Sequence, residues 1–252
     1  MTTTITHTDS PRISPTSSLN GTSAIELGDE FDLPVLDLFR DIHKGIRAEL
    51  FAVTLEAGSI DPSESCDWSA LSDHIAAVET VLGDHAGHED TFVEPVLREF
   101  QPNLADQIEA DHHRFDGQFA RLLELSATGR SSAVDDQRRI AHLLYLELSR
   151  FTSDYLHHQL VEERIVMPAL EASIGFDELL GLNQAIVGSI PPDKMAVGLA
   201  FMLPAMNVDD RTEMLGGMKA GAPPEAFAGV VGLARSVLVP AEFSKVATRL
   251  GL

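Results

Sequence analysis

Histidine occupies positions where a helical bundle would ordinarily keep leucine. Read at a helical period, four long segments each carry an apolar stripe, and each stripe contains imidazole. Residues 33–57 align Leu36, Phe39, His43, Ile46, Leu50 and Val53 on one face. Residues 68–100 align Leu71, His74, Val78, Val81, His85, Phe92 and Val96. Residues 103–128 align Leu104, Ile108, His112, Phe115, Phe119 and Leu122, and residues 133–172 align Ile140, Leu144, Leu148, Phe151, Tyr155, His158 and Ile165. No segment alternates apolar and polar residues as a half-buried strand does. Burying an unpartnered imidazole is costly, so His43, His85, His112 and His158, one per segment, require a shared partner.

These patterns predict an all-α fold: an up-and-down four-helix bundle over residues 30–174, followed by a small helical extension over 175–252. Asp67 is the expected N-cap of the second helix, and Gly129 the expected end of the third. Pro95 and Pro168, late in their segments, are expected to bend or end them. Residues 1–29, rich in Thr, Ser, Pro and Gly, read as disordered. Beyond the Pro191-Pro192 break, short apolar helices are expected at about 193–205, 209–219, 224–237 and 240–249, packed on the bundle or on a second copy of the chain.

Two carboxylates share the histidine faces. Glu89 lies four residues after His85, and Glu162 four after His158, which is one helical turn in each case. In both copies a second acid follows the glutamate, Asp90 or Glu163, and a proline stands six residues after it. The segment is therefore a pseudo-repeat, one copy in each half. Two glutamates from facing helices can bridge two ions, and four neutral imidazoles suit iron, manganese or zinc. A structural zinc site closes with four ligands, so a set of six favours two metals with room for an exogenous group.

Composition narrows the partners. The chain carries 39 acidic and 18 basic residues, a net charge of -21, which argues against nucleic acid and anionic membrane surfaces. The charge is concentrated before residue 175, and the extension is nearly neutral. A single cysteine, Cys66, excludes an intramolecular disulfide. No targeting segment or bilayer-length apolar run is visible, so a cytoplasmic location is expected. No Ser-His-Asp arrangement or dinucleotide fingerprint is present.

The segments IHKGIRAEL, HAGHEDTFVEPVL, EADHHRFDGQF and HHQLVEERIVMPAL, in that order, resemble the hemerythrin-like, or HHE cation-binding, family over roughly residues 33–172. The resemblance implies two iron ions with a bridging oxo or hydroxo group, manganese or a mixed pair being alternatives. His43, His85, Glu89, His112, His158 and Glu162 would be the ligands. It implies dioxygen, peroxide or another small diatomic such as nitric oxide as the ligand. A small organic substrate and association through the C-terminal helices are further expectations. Family members include oxygen carriers, sensors and proteins of nitrosative-stress iron repair. Oxygen carriers have a further histidine one turn after the helix-three ligand; here that position is Asp116.

Several neighbours compete for roles. Asp116 is an additional ligand, an outer partner or a solvated acid. His88 and His113 are alternates to His85 and His112. His157 and Glu163 belong to a carrier-type spacing of five, which would pair His157 with Glu162 or His158 with Glu163. Tyr155, three residues before His158, is a candidate catalytic group supplying a hydrogen bond or an electron. His74, about 16 Å along the axis from His85, belongs to the core or rim. His7 and His142 read as solvated, and Arg47 as half of a salt bridge on the helix flank.

Overall fold

The computed structural model describes residues 33–252; the segment expected to be disordered, with His7, lies outside them. The bundle comprises α1 (Arg40–Ser59), α2 (Ser65–His88), α3 (Glu94–Phe100), α4 (Pro102–Ser131), α5 (Val134–Val161) and α6 (Met167–Ser173). A single π-helical turn, Glu89–Val93, joins α2 to α3, and another, Glu162–Val166, joins α5 to α6. The helices α7 (Phe176–Ser189), α8 (Pro192–Ala205), α9 (Val208–Gly221), α10 (Pro224–Val237) and α11 (Pro240–Leu250) complete the chain. No strand occurs among the described residues.

The prolines do not end their helices. In a regular helix Pro95 and Pro168 would lack an N–H for the preceding turn, and their rings would crowd it. Widening that turn by one residue relieves both problems. Glu94 donates its N–H to the Glu89 carbonyl and Met167 to that of Glu162, five residues back in each case. Each helix then continues for seven residues beyond its π turn.

Other boundaries also shift. The first helix begins at Arg40, because Asp37 caps the preceding turn by accepting from the N–H groups of Phe39 and Arg40 at 2.9 Å. Asp67 is not an N-cap: Glu64 holds that position, and Asp67 accepts the Asp61 N–H instead. Gly129 does not stop α4, because it is a packing residue. A Cβ there would lie 2.1 Å from the fully buried Trp68 ring. The helix α7 was not anticipated; it follows the acidic-poor Ile174-Gly175 break and buries Leu179 beside Phe39 and Leu97.

Two apolar clusters fill the bundle. One contains Leu50, Trp68, Leu71, Leu144, Leu148 and Phe151; the other contains Phe39, Val93, Leu97, Ile108, Met167 and Leu170. The polar ligand candidates lie between them along the same helices. The extension has its own core of Leu199, Leu203, Leu215, Ala234 and Val246. Buried Arg211 ties it together by donating to the Leu203 and Pro204 carbonyls and pairing with Glu242.

The extension packs on the bundle. Gly45 lets α8 approach α1, since a Cβ would fall 2.5 Å from the Phe201 ring. Lys44 and Arg40 of α1 pair with Asp210 of α9, and Arg40 also reaches Glu213 at 3.2 Å. No single described helix is long and apolar enough to cross a membrane. The pair α7 and α8 passes by composition together but is bent by 109°, and α8 buries Leu199 and Leu203 within the protein.

Gly129 gives a signed prediction. Gly-to-Ala inside a helix ordinarily gains about 1 kcal/mol. Here overlap with Trp68 outweighs that gain, since overpacking typically costs about 1–3 kcal/mol. Gly129→Ala should lower the unfolding free energy in a denaturant titration; a rise would show that Trp68 yields freely.

Candidate metal centre

The four helices deliver six polar side chains to the middle of the bundle. His43 of α1 is fully buried, and His85, Glu89, His112, His158 and Glu162 are each at most 8 % exposed. They form two groups whose ligand atoms lie within 4.8 Å of one another: His43, His85, Glu89 and Glu162, and Glu89, His112, His158 and Glu162. Both glutamates belong to both groups.

Each carboxylate divides its oxygens between the groups. Glu89 points Oε1 toward His85 Nε2 and Oε2 toward His112 Nε2, both at 3.3 Å. Glu162 points Oε2 toward His43 Nε2 at 3.3 Å and Oε1 toward His158 Nε2 at 2.9 Å. The Nε2 atoms of His43 and His85 face each other at 3.0 Å. Both oxygens of both glutamates, with the Nε2 atoms of His112 and His158, are buried without hydrogen-bond partners. Buried polar atoms are otherwise nearly always paired. Converging oxygen and imidazole donors that lack partners fit one or two divalent ions.

The π turns build this arrangement. Successive residues of an α-helix point about 100° apart; a wider turn reduces that step, so two adjacent acids serve one side. Glu89 enters the centre while Asp90 accepts from His112 Nδ1 at 2.7 Å. Glu162 enters while Glu163 lies 3.0 Å from His43 Nδ1. Arg47 grips Glu163 through both terminal nitrogens, at 2.7 and 3.0 Å, so its flank ion pair also steadies His43. Behind His158, Asp111 Oδ2 stands 3.5 Å from Nδ1. The hydrogen-bonded outer carboxylates, Asp90 and Glu163, fix ring orientation and tautomer at His112 and His43.

Without metal, protons neutralise the centre. Burial opposes charge on the rings, but the adjacent Glu162 and Glu89 carboxylates outweigh it at His112, raised to about 11. Burial likewise opposes charge on His158, and the Glu162 charge outweighs it, raising the ring to about 9. Burial, with the positive charge of His43, holds His85 well below its ordinary value. Glu162 is held well below the carboxylate range because three imidazoles outweigh its burial. Burial, and the neighbouring Glu162 charge, push Glu89 up to about 7.

The remaining candidates separate clearly. His113, His157 and Asp116 are exposed and belong to neither group. His88 is half-buried and stacks on Phe92 at 6.5 Å. In helix α5 the spacing of four, His158 with Glu162, faces the centre, and Glu163 stands behind His43. Tyr155 is buried against Phe115, at 4.8 Å, and His158, at 5.6 Å. Its ring forms part of the apolar wall with Phe119 and Phe151. His74 lies on the flank, bonded to Glu56 and Glu49 of α1 at 2.5 and 3.1 Å. His142 is exposed.

Asp90 and Asp111 were not singled out by the sequence patterns. The recurrence of an acid after each inward glutamate signals Asp90. Nothing in the periodicity distinguishes Asp111 from the many solvated acids of this chain.

A family model for the hemerythrin HHE cation-binding domain matches residues 35–170. The chain belongs to this family. The hemerythrin-family match begins just before α1 and ends in α6, so it covers the bundle and leaves α7–α11 outside. None of the curated proteins compared with the chain matches it. The hemerythrin-like domain is thus a cation-binding helical domain.

The metal-free protein carries a pH signature. A carboxyl whose folded pKa lies above its unfolded value of about 4.3 costs stability as pH rises toward the folded value. For Glu89 that window runs up to about 7. In chelator, Glu89→Gln should therefore gain thermal midpoint relative to wild type between pH 4.5 and pH 8. A difference independent of pH would contradict the assignment.

Proposed function

We propose that this hemerythrin-family chain is a non-heme diiron protein that binds or reduces dioxygen, or a related small ligand such as peroxide or nitric oxide. The observation carrying the proposal is the division of carboxylate oxygens: Glu89 and Glu162 each offer one oxygen to the His43–His85 group and one to the His112–His158 group. Two carboxylates so placed would hold two ions at fixed spacing through a change of valence. His43 and His85 would complete one position, and His112 and His158 the other. Manganese would fit the same donors.

Two glutamates and four neutral histidines would hold two divalent ions with net positive charge and leave room for a further ligand. Bound iron would supply one-electron chemistry at those open positions. The chain's own residues set the surroundings. Phe115 and Tyr155 cover the His158 ring at 5.1 and 5.6 Å, and Phe39 covers the His43 ring at 5.3 Å. This wall excludes bulk water, which strengthens electrostatic interactions inside. Asp90 and Glu163 hold His112 and His43 with the Nε2 atoms inward. Metal entry must release the protons held on the imidazoles, so affinity should rise with pH.

Oxidation of an organic substrate would require a chamber between the bundle and the extension. The observed contact is instead closed packing of Phe201 and Met202 on Gly45 of α1. The extension acts as a buttress for the helix that supplies His43, and the small-ligand reading is preferred.

Purified protein should contain about two iron or manganese ions per chain, and Glu162→Ala should lose both. The reduced iron form should change its visible spectrum on exposure to oxygen, while the metal-free form should not. Unchanged spectra with dioxygen, peroxide and nitric oxide would overturn the functional reading.

A further inference from the structure

The long bundle helices close a ring in the order α1, α2, α4, α5. Near the level of the centre, three of the four seams are tied by the bundle itself. Glu163, just after α5, engages His43 and Arg47 of α1. Asp90, just after α2, accepts from His112 of α4. Arg114 of α4 pairs with Asp154 of α5 at 3.6 Å.

The seam between α1 and α2 is different. Here the rings of His43 and His85 face each other, Nε2 to Nε2, at 3.0 Å. Among the described residues, the ion pairs between these two helices are those of His74 with Glu49 and Glu56. His74 stands eleven residues before His85, about 16 Å along the axis, so this clasp leaves the seam at the centre untied.

The helix α8 crosses that seam from outside. At one end Lys194 donates to Asp84, one residue before His85, at 2.7 Å. At the other, Phe201 and Met202 lie against Gly45, two residues after His43. Lys194 and Phe201 are seven residues apart, about 10 Å along α8, which matches the spacing of about 8–10 Å between two packed helices. Phe201 packs against the core cluster of the bundle, as do Ile42 of α1 and Val81 of α2.

The two ends of α8 are held differently. On the α1 side, Phe201 is packed in place, and α9 adds pairs from Asp210 and Glu213 to Lys44 and Arg40. On the α2 side, the polar tie among the described residues is Lys194 with Asp84, whose side chains are 43 % and 49 % exposed. An exposed pair contributes little and is screened by salt.

We propose that α8 is a strap over the α1–α2 seam, latched by Lys194 on Asp84 and anchored on α1, and that release of the latch opens the route by which cations and small ligands reach and leave the centre. Access control of this kind rests on the metal-centre reading above and adds regulation to it. The strap belongs to the C-terminal helices, outside the matched family domain. Salt weakens the latch, so exchange at the centre quickens with ionic strength.

The test is ferrous iron exchange in the full chain without oxygen, measured as uptake by the metal-free protein and as release to excess coloured chelator. Lys194→Glu sets two acids against each other and should speed uptake and release alike, by about two- to fivefold, with the number and affinity of bound ions unchanged. Damage to the site itself would instead speed release and weaken affinity. Asp84→Lys combined with Lys194→Glu rebuilds the pair with exchanged charges and should restore the slow rates. Lys245→Glu, the same charge change on the exposed face of α11, should leave them at wild-type values. In the metal-free chain, amide hydrogen exchange over residues 193–198 should quicken in Lys194→Glu and recover in the charge-exchanged variant. Wild-type rates in Lys194→Glu, or faster release with weaker affinity, would overturn the strap and leave the metal centre standing. A wild-type chain that takes up no ferrous iron would overturn both.

Discussion

Two carboxylates buried side by side in an apolar bundle are the constraint on which the structure depends. Taking such charges out of water costs several kcal/mol each even after relaxation. Well-packed aliphatic residues of the same volume would stabilise the bundle more. The arrangement is intelligible only if positive charge meets Glu89 and Glu162 at the centre. Protonated imidazoles supply it in the metal-free protein, and cations would supply it when bound. The apolar clusters on both sides keep water out and make that charge balance stringent.

The backbone serves the same requirement. A proline six residues after each inward glutamate forces a π turn, and the π turn allows one acid to enter the centre while the next supports a histidine from a neighbouring helix. A device that would disrupt an ordinary helix here positions two functional groups at once. The C-terminal helices contribute from outside: Gly45 lets α8 lie close against α1, and the Lys44 and Arg40 pairs hold α9 beside it. His43 is therefore fixed from both ends, by Glu163 inside the bundle and by the docked extension along its helix.

Much of this was legible in the sequence because burial at a helical period is a strong signal. Four stripes located the helices, and the imidazoles on them located the six residues that converge. The matching spacing in helices α2 and α5 also selected His158 with Glu162 over the alternative of five. Three kinds of feature were hidden. Asp67 has the chemistry of an N-cap, but the choice of capping residue depends on the course of the chain before it. Pro95 and Pro168 read as bends or ends, and which of the two they make is settled by the π turn that absorbs them, a tertiary compromise. Asp111 and Arg47 lie on faces that look solvated, and only folding shows which ring each one supports. Tyr155, singled out for its proximity to His158, lies buried with its ring against Phe115, Phe151 and His158.

The most direct measurement is anomalous diffraction from crystals of the iron-loaded protein, collected on both sides of the iron absorption edge. The account predicts two peaks about 3.5–4 Å apart, each shared by Glu89 and Glu162, with His43 and His85 at one and His112 and His158 at the other. A single peak, or peaks away from these six side chains, would contradict it.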